Sequence, residues 1–132
     1  MRPLALATLS ALALAGCGTS ADRDQARATT QRFFAAVARH DGATACRQLT
    51  ADAAQQLADQ EGKPCPQAVT GLQLKPGSIV RLEVFVTNAK ADLSSRESAF
   101  LSRSPSGWKL SSVGCAHDDK PADHPFNCQL ES

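Results

Sequence analysis

The first apolar stretch of the chain has no period. From Leu4 to Ala15 the residues are almost wholly Leu and Ala, broken by Thr8 and Ser10. Spanning a bilayer takes roughly 20 apolar residues in a helix, more than this run offers. Arg2 precedes it and Leu14-Ala15-Gly16-Cys17 ends it. A positive start, an apolar middle and small residues before a cut are the three zones of a secretory signal.

Beyond Ala21 the pattern turns helical. Ala26, Phe33, Phe34, Val37 and Ala38 recur near helical spacing, opposite Arg23, Asp24, Arg27, Gln31 and Arg32, which predicts a helix over 21–39. Asp41-Gly42 closes it, with Gly the natural residue after a helix and Asp41 a cap for the next. Helices over 43–49 and 51–60 follow, the second capped by Thr50, with Ala53, Ala54 and Leu57 inward. Gly62-Lys63-Pro64 breaks the pattern, and a short helical turn runs from Cys65 to Val69.

After Gly71 the period drops to two. Lys75-Pro76-Gly77 signals a turn, and a strand is expected over 79–86. Val80, Leu82, Val84 and Val86 share one of its faces; Arg81 and Glu83 lie on the other with Ile79 and Phe85. Strands over 89–93 and 97–103 follow, then a hairpin loop at Ser104-Pro105-Ser106-Gly107 and a return strand over 108–113. Past Cys115 the tail is polar and without period, so a disulfide would be its main restraint. Helices first and an antiparallel meander second must cover each other's apolar faces, which gives an α+β domain.

Composition changes this picture through its cysteines. Leu14-Ala15-Gly16-Cys17 resembles a bacterial lipobox, in which the cysteine thiol takes lipid after cleavage. The chain then divides into a lipoprotein signal peptide over 1–16, the lipidated Cys17 and its tether over 17–21, and one domain over 22–132. Each buried methylene of an acyl chain contributes about 0.8 kcal/mol, so two or three chains hold a protein firmly. The expected location is extracytoplasmic, lipid-anchored to the cell membrane. Lipid on Cys17 leaves Cys46, Cys65, Cys115 and Cys128, an even number suited to an oxidising compartment. Of the three pairings, Cys46–Cys65 with Cys115–Cys128 is favoured because each closes a local loop, contributing roughly 3 kcal/mol. Zinc knuckles and C-x-x-C pairs are absent.

Charge removes one class of partner. The chain carries 14 basic and 13 acidic residues, scattered along its length. Nucleic acid is therefore not expected, since phosphates call for a basic stripe. There is no Tyr and a single Trp, Trp108, so no aromatic platform for sugars or bases is visible.

Several loose patterns run together across the mature chain. They are Phe33-Phe34-Ala35-Ala36-Val37 before Asp41-Gly42, Cys46-Arg47-Gln48-Leu49 with Cys65, Gly107-Trp108-Lys109-Leu110 into Gly114-Cys115, and Pro125-Phe126-Asn127-Cys128. In these the chain resembles the small NTF2-like (cone-fold, SnoaL-like) lipoproteins of actinobacteria. The resemblance implies a curved sheet wrapped around the helices, a pocket at the open end of the cone and, in many such proteins, a homodimer formed through the sheet. Phe33, Val37, Val84 and Trp108 are the candidate pocket residues. Enzymes of that superfamily, such as polyketide cyclases and steroid isomerases, place Asp, His or Tyr inside the cone. Here the inward strand positions are mostly Val, Leu, Ala and Phe, so no catalytic residue carries over.

The remaining candidates are weak. His40 and Asp41 are neighbours, and adjacent helical side chains do not face each other. His117, Asp118, Asp119, Asp123 and His124 are the densest set of metal-capable groups. Such a run in a loop with Lys120 and two prolines is more often polar surface, so neither a metal nor another cofactor is expected. The chain then reads as a non-catalytic domain binding a small apolar ligand or an envelope protein. The alternatives are an isomerase or cyclase with an unplaced acid–base residue, and a purely structural interaction subunit.

Overall fold

Thr19 starts the described fold by capping a helix: its Oγ1 accepts the Asp22 backbone N–H at 3.2 Å. In this computed structural model residues 19–117 and 126–132 are described. The lipobox residues Leu14, Ala15 and Gly16, with Cys17, lie outside them. Four helices come first: α1 (Ser20–Ala38), α2 (Gly42–Arg47), α3 (Ala51–Glu61) and α4 (Cys65–Val69). The strands follow as β1 (Ile79–Val84), β2 (Asn88–Leu93), β3 (Glu97–Ser104), β4 (Gly107–His117), β5 (Phe126–Asn127) and β6 (Leu130–Glu131). The result is an α+β fold with an antiparallel sheet in the order β1-β2-β3-β4-β5, and β6 also on β4. No helix among the described residues is long and apolar enough to cross a membrane.

The buried stripe of α1 is Asp22, Ala26, Thr29, Thr30, Phe33 and Ala36. The apolar spacing pointed to Ala26 and Phe33, which are buried, and also to Phe34, Val37 and Ala38, of which two are half-buried and Ala38 is exposed. Two threonines make the difference. Thr29 Oγ1 donates to the Trp108 carbonyl at 3.0 Å, and Thr30 Oγ1 to the Ala26 carbonyl at 2.9 Å. With its hydroxyl hydrogen-bonded, a threonine can be buried without leaving a donor unsatisfied.

The helix ends differently from expectation. Asp41 N–H bonds the Ala36 carbonyl at 2.9 Å and His40 N–H bonds the Val37 carbonyl at 3.0 Å, the paired pattern of a Schellman ending. The left-handed residue is His40, at φ 56°, and not Gly42. Gly42 serves packing: a Cβ there would lie 1.8 Å from the Pro66 carbonyl oxygen. Its bare backbone lets α2 and α4 meet, and Cys46–Cys65 ties the same two helices together.

Bulges bend the sheet. Ile79 pairs with Leu93 but Arg81 with Asp92, so Val80 is an extra residue. It turns outward, 64% exposed, while Ile79, Leu82 and Val84 all pack on the core. The strict alternation expected over 79–86 therefore fails at its first step. It also stops early, because Phe85 N–H bonds the Asn88 carbonyl at 2.7 Å and closes the turn. On β4, two further register shifts fall opposite Ser98–Leu101. Gly114 sits in one of them at φ 65°, where a Cβ would also press Leu74 at 2.8 Å. Each bulge adds local bend and twist, and α1 packs against β1, β2 and β4 of the bent sheet.

The tail is more ordered than its composition suggests. β4 runs on to His117, and β5 and β6 pair with it through Ala116↔Asn127 and Val113↔Leu130. Leu130 is fully buried. Gln129 bonds the backbone of Gln73 in both directions, at 2.8 and 2.7 Å. Cys115–Cys128 is thus one restraint among several.

Candidate functional site

Asp22 joins three side chains through one carboxylate. Its Oδ1 accepts the Trp108 indole N–H at 3.1 Å and pairs with the Arg103 guanidinium; its Oδ2 accepts the Thr19 hydroxyl at 3.0 Å. Arg103 also lies over the Trp108 ring, 5.6 Å from its centroid. The hydrogen bond from Trp108 holds the Asp22 carboxyl below its usual value, helped by Thr19 and Arg103 and opposed by burial. A carboxylate kept ionised with both oxygens engaged is a poor proton carrier. What it does well is clamp: it joins the first turn of α1 to β3 and β4.

Beside the clamp an open groove of about 440 Å³ runs between α1 and β4. Asp24, Gln25, Arg32, Gln48, Trp108 and Lys109 line much of it. Lys109 Nζ donates to the Arg47 carbonyl at 2.6 Å, which holds that side chain along the rim. A second open groove, about 600 Å³, lies along the tail and is lined by Gln73, Lys75, Glu97, Asn127 and Gln129 among others. Both present donors and acceptors, suited to a polar segment.

The sequence-predicted pocket residues are spread over the fold. Phe33 is fully buried in the core, edge-on to Phe34 at 5.2 Å. Val37 and Val84 are half-buried against the same core. Trp108, 3% exposed, is among the residues that line the α1–β4 groove. Neither groove is lined by Phe33, Val37 or Val84.

Asp41 caps α2 by accepting the Thr44 N–H at 3.0 Å, and hydrogen bonds from Thr44 hold its carboxyl below the usual value. Among the metal-capable residues, Asp118, Asp119, Asp123 and His124 lie outside the described residues. His117 meets the Phe126 ring edge-on at 5.6 Å. Among the described residues no three His, Cys, Asp or Glu gather as a metal site.

Periodicity overlooked Asp22. A signal for part of its role exists, since Thr19-Ser20-Ala21-Asp22 has the spacing of a capping box. Nothing local announces its bonds to Arg103 and Trp108, which come from the far end of the chain. No protein-family model, no curated protein and no solved structure matches this chain.

Proposed function

We propose that the protein is a lipid-anchored, extracytoplasmic binding domain whose partner is another envelope protein, received along the α1–β4 groove. The observation that carries this is the closed core. Phe33, Leu57, Leu101, Leu110 and Leu130 are fully buried and fill the space between helices and sheet, while the two grooves described above are open and lined mostly by polar residues. Enclosing a small apolar ligand calls for an apolar-lined cavity. A protein segment needs only a complementary surface. Two disulfides, which favour an oxidising compartment, and the lipobox-like Leu14-Ala15-Gly16-Cys17 support the location. Helices followed by a bulged antiparallel sheet that α1 packs against are compatible with the NTF2-like cone, which remains part of the reading. The buried carboxylate Asp22 weighs against an isomerase or cyclase role, because it is bonded on both oxygens.

The test is chemical crosslinking of the full chain in its native membrane, followed by peptide mapping. The reading predicts crosslinks from a single partner to residues bordering the groove, lost in Arg32→Glu/Lys109→Glu. A small apolar molecule retained by the intact protein in native mass spectrometry would contradict it.

A further inference from the structure

The large apolar side chains that the fold leaves in solvent belong to β1 and its turn. Among the described residues they are Val80, Phe85 and Val86, at 64, 60 and 60% exposure. Val80 is turned out by its bulge. Phe85 and Val86 form the tip of the β1–β2 turn, a place where Gly, Asn, Asp and Ser are the usual residues.

That tip is fastened to the start of α1. Arg103 N–H donates to the Thr87 carbonyl at 2.8 Å, and the Arg103 guanidinium pairs with Asp22. Arg23 Nη1 donates to the Leu82 carbonyl at 2.9 Å. Thr19, which caps this helix, is two residues beyond Cys17 in sequence. Two extended residues reach about 7 Å at most. Acyl chains on Cys17 would therefore enter the bilayer at the end of the domain that carries Phe85 and Val86.

We propose that the Phe85–Val86 tip is a second membrane contact, inserted into the interface of the bilayer that holds the acyl chains of Cys17. This rests on the lipid-anchor reading above. Two side chains alone would hold a bilayer weakly, but the tether keeps them at high effective concentration beside it. A single short tether leaves the domain free to swing, and the second contact fixes its orientation. Charge contributes little, because Arg23, Arg27 and Arg103 share this end with Asp22 and Asp24. The contact is apolar and persists in high salt. It also places the α1–β4 groove, which includes Ser106 from the β3–β4 turn and Gly107 and Trp108 from the start of β4, close to the membrane surface.

The experiment uses the full chain, processed in a bacterial host and reconstituted into vesicles of phosphatidylethanolamine and phosphatidylglycerol with brominated acyl chains. Phe85→Trp is compared with Lys75→Trp, since Lys75 lies beside Glu97 at the opposite end of the strands; the shared Trp108 signal is subtracted. An inserted indole sits roughly 5–10 Å into the headgroup boundary, where bromine on the acyl chains quenches its emission. Lys75→Trp stays unquenched, and high salt leaves both unchanged. Equal quenching at the two positions overturns the proposal. So does a blue shift at Phe85→Trp without quenching, which marks cover by protein, whether a partner or a second copy. Mass spectrometry of the same preparation separates the two claims. An acylated Cys17 with no quenching removes the second contact alone, and an unacylated Cys17 removes both.

Discussion

Trp108 donates its indole N–H to Asp22 at 3.1 Å across 86 residues of chain, so the first helical turn and the fourth strand share one buried carboxylate. Because that carboxyl is held below its ordinary value, it favours the folded state while ionised. An unperturbed Asp titrates near 3.9. The contribution is complete above about that pH and drains away as pH falls through the lower folded value. Asp41 acts in the same direction.

Acid should therefore weaken the protein from about pH 4 downward, and Asp22→Asn should flatten that dependence while lowering stability at pH 7. Urea midpoints at pH 7 and pH 3 measure both. An acid dependence identical to that of the unsubstituted protein would contradict the clamp.

Gly42 and His40 should respond in opposite senses. Gly42→Ala puts a methyl 1.8 Å from a backbone oxygen of Pro66; backbone yields poorly, and a loss of about 2–3 kcal/mol follows. His40→Gly relieves a left-handed residue and should gain about 1 kcal/mol. Chemical denaturation of the two variants checks the pair of signs.

The four remaining cysteines should show no free thiol before reduction. Peptide mapping should return Cys46 with Cys65 and Cys115 with Cys128. The double variant Cys46→Ser/Cys65→Ser should lose about 3 kcal/mol, as expected for a closed loop of this length.

Phe33→Ala should lose about 3–5 kcal/mol, because its ring is fully buried in a closed core. Gln25→Ala at the groove should stay within about 0.5 kcal/mol. If Phe33→Ala were equally mild, Phe33 would be lining a space and not filling one.

Much of the fold was legible from spacing. Helices before strands, the α2 and α3 caps at Asp41 and Thr50, the β3–β4 loop and both local disulfides follow from short-range chemistry. What escaped depends on distant partners. Thr29 and Thr30 are buried by hydroxyl bonds that a polar score cannot anticipate. Val80 leaves the alternation because β2 offers one residue fewer. Leu130 has only polar neighbours and a cystine around it in the tail, and only pairing with β4 makes a strand of it. At the candidate site Trp108 stands out by being unique, whereas nothing local in the sequence marks Asp22 as the acid that Arg103 and Trp108 reach.

On the function proposed above, lipid on Cys17 holds the domain at a membrane. Mass spectrometry of the N-terminal peptide, taken from the membrane fraction of cells making the full chain, tests it most directly. A peptide beginning at Cys17 and carrying acyl chains is the predicted result, with Cys17→Ser abolishing the modification. An N-terminal peptide that retains Leu14-Ala15-Gly16, or that begins at an unmodified Cys17, would contradict it.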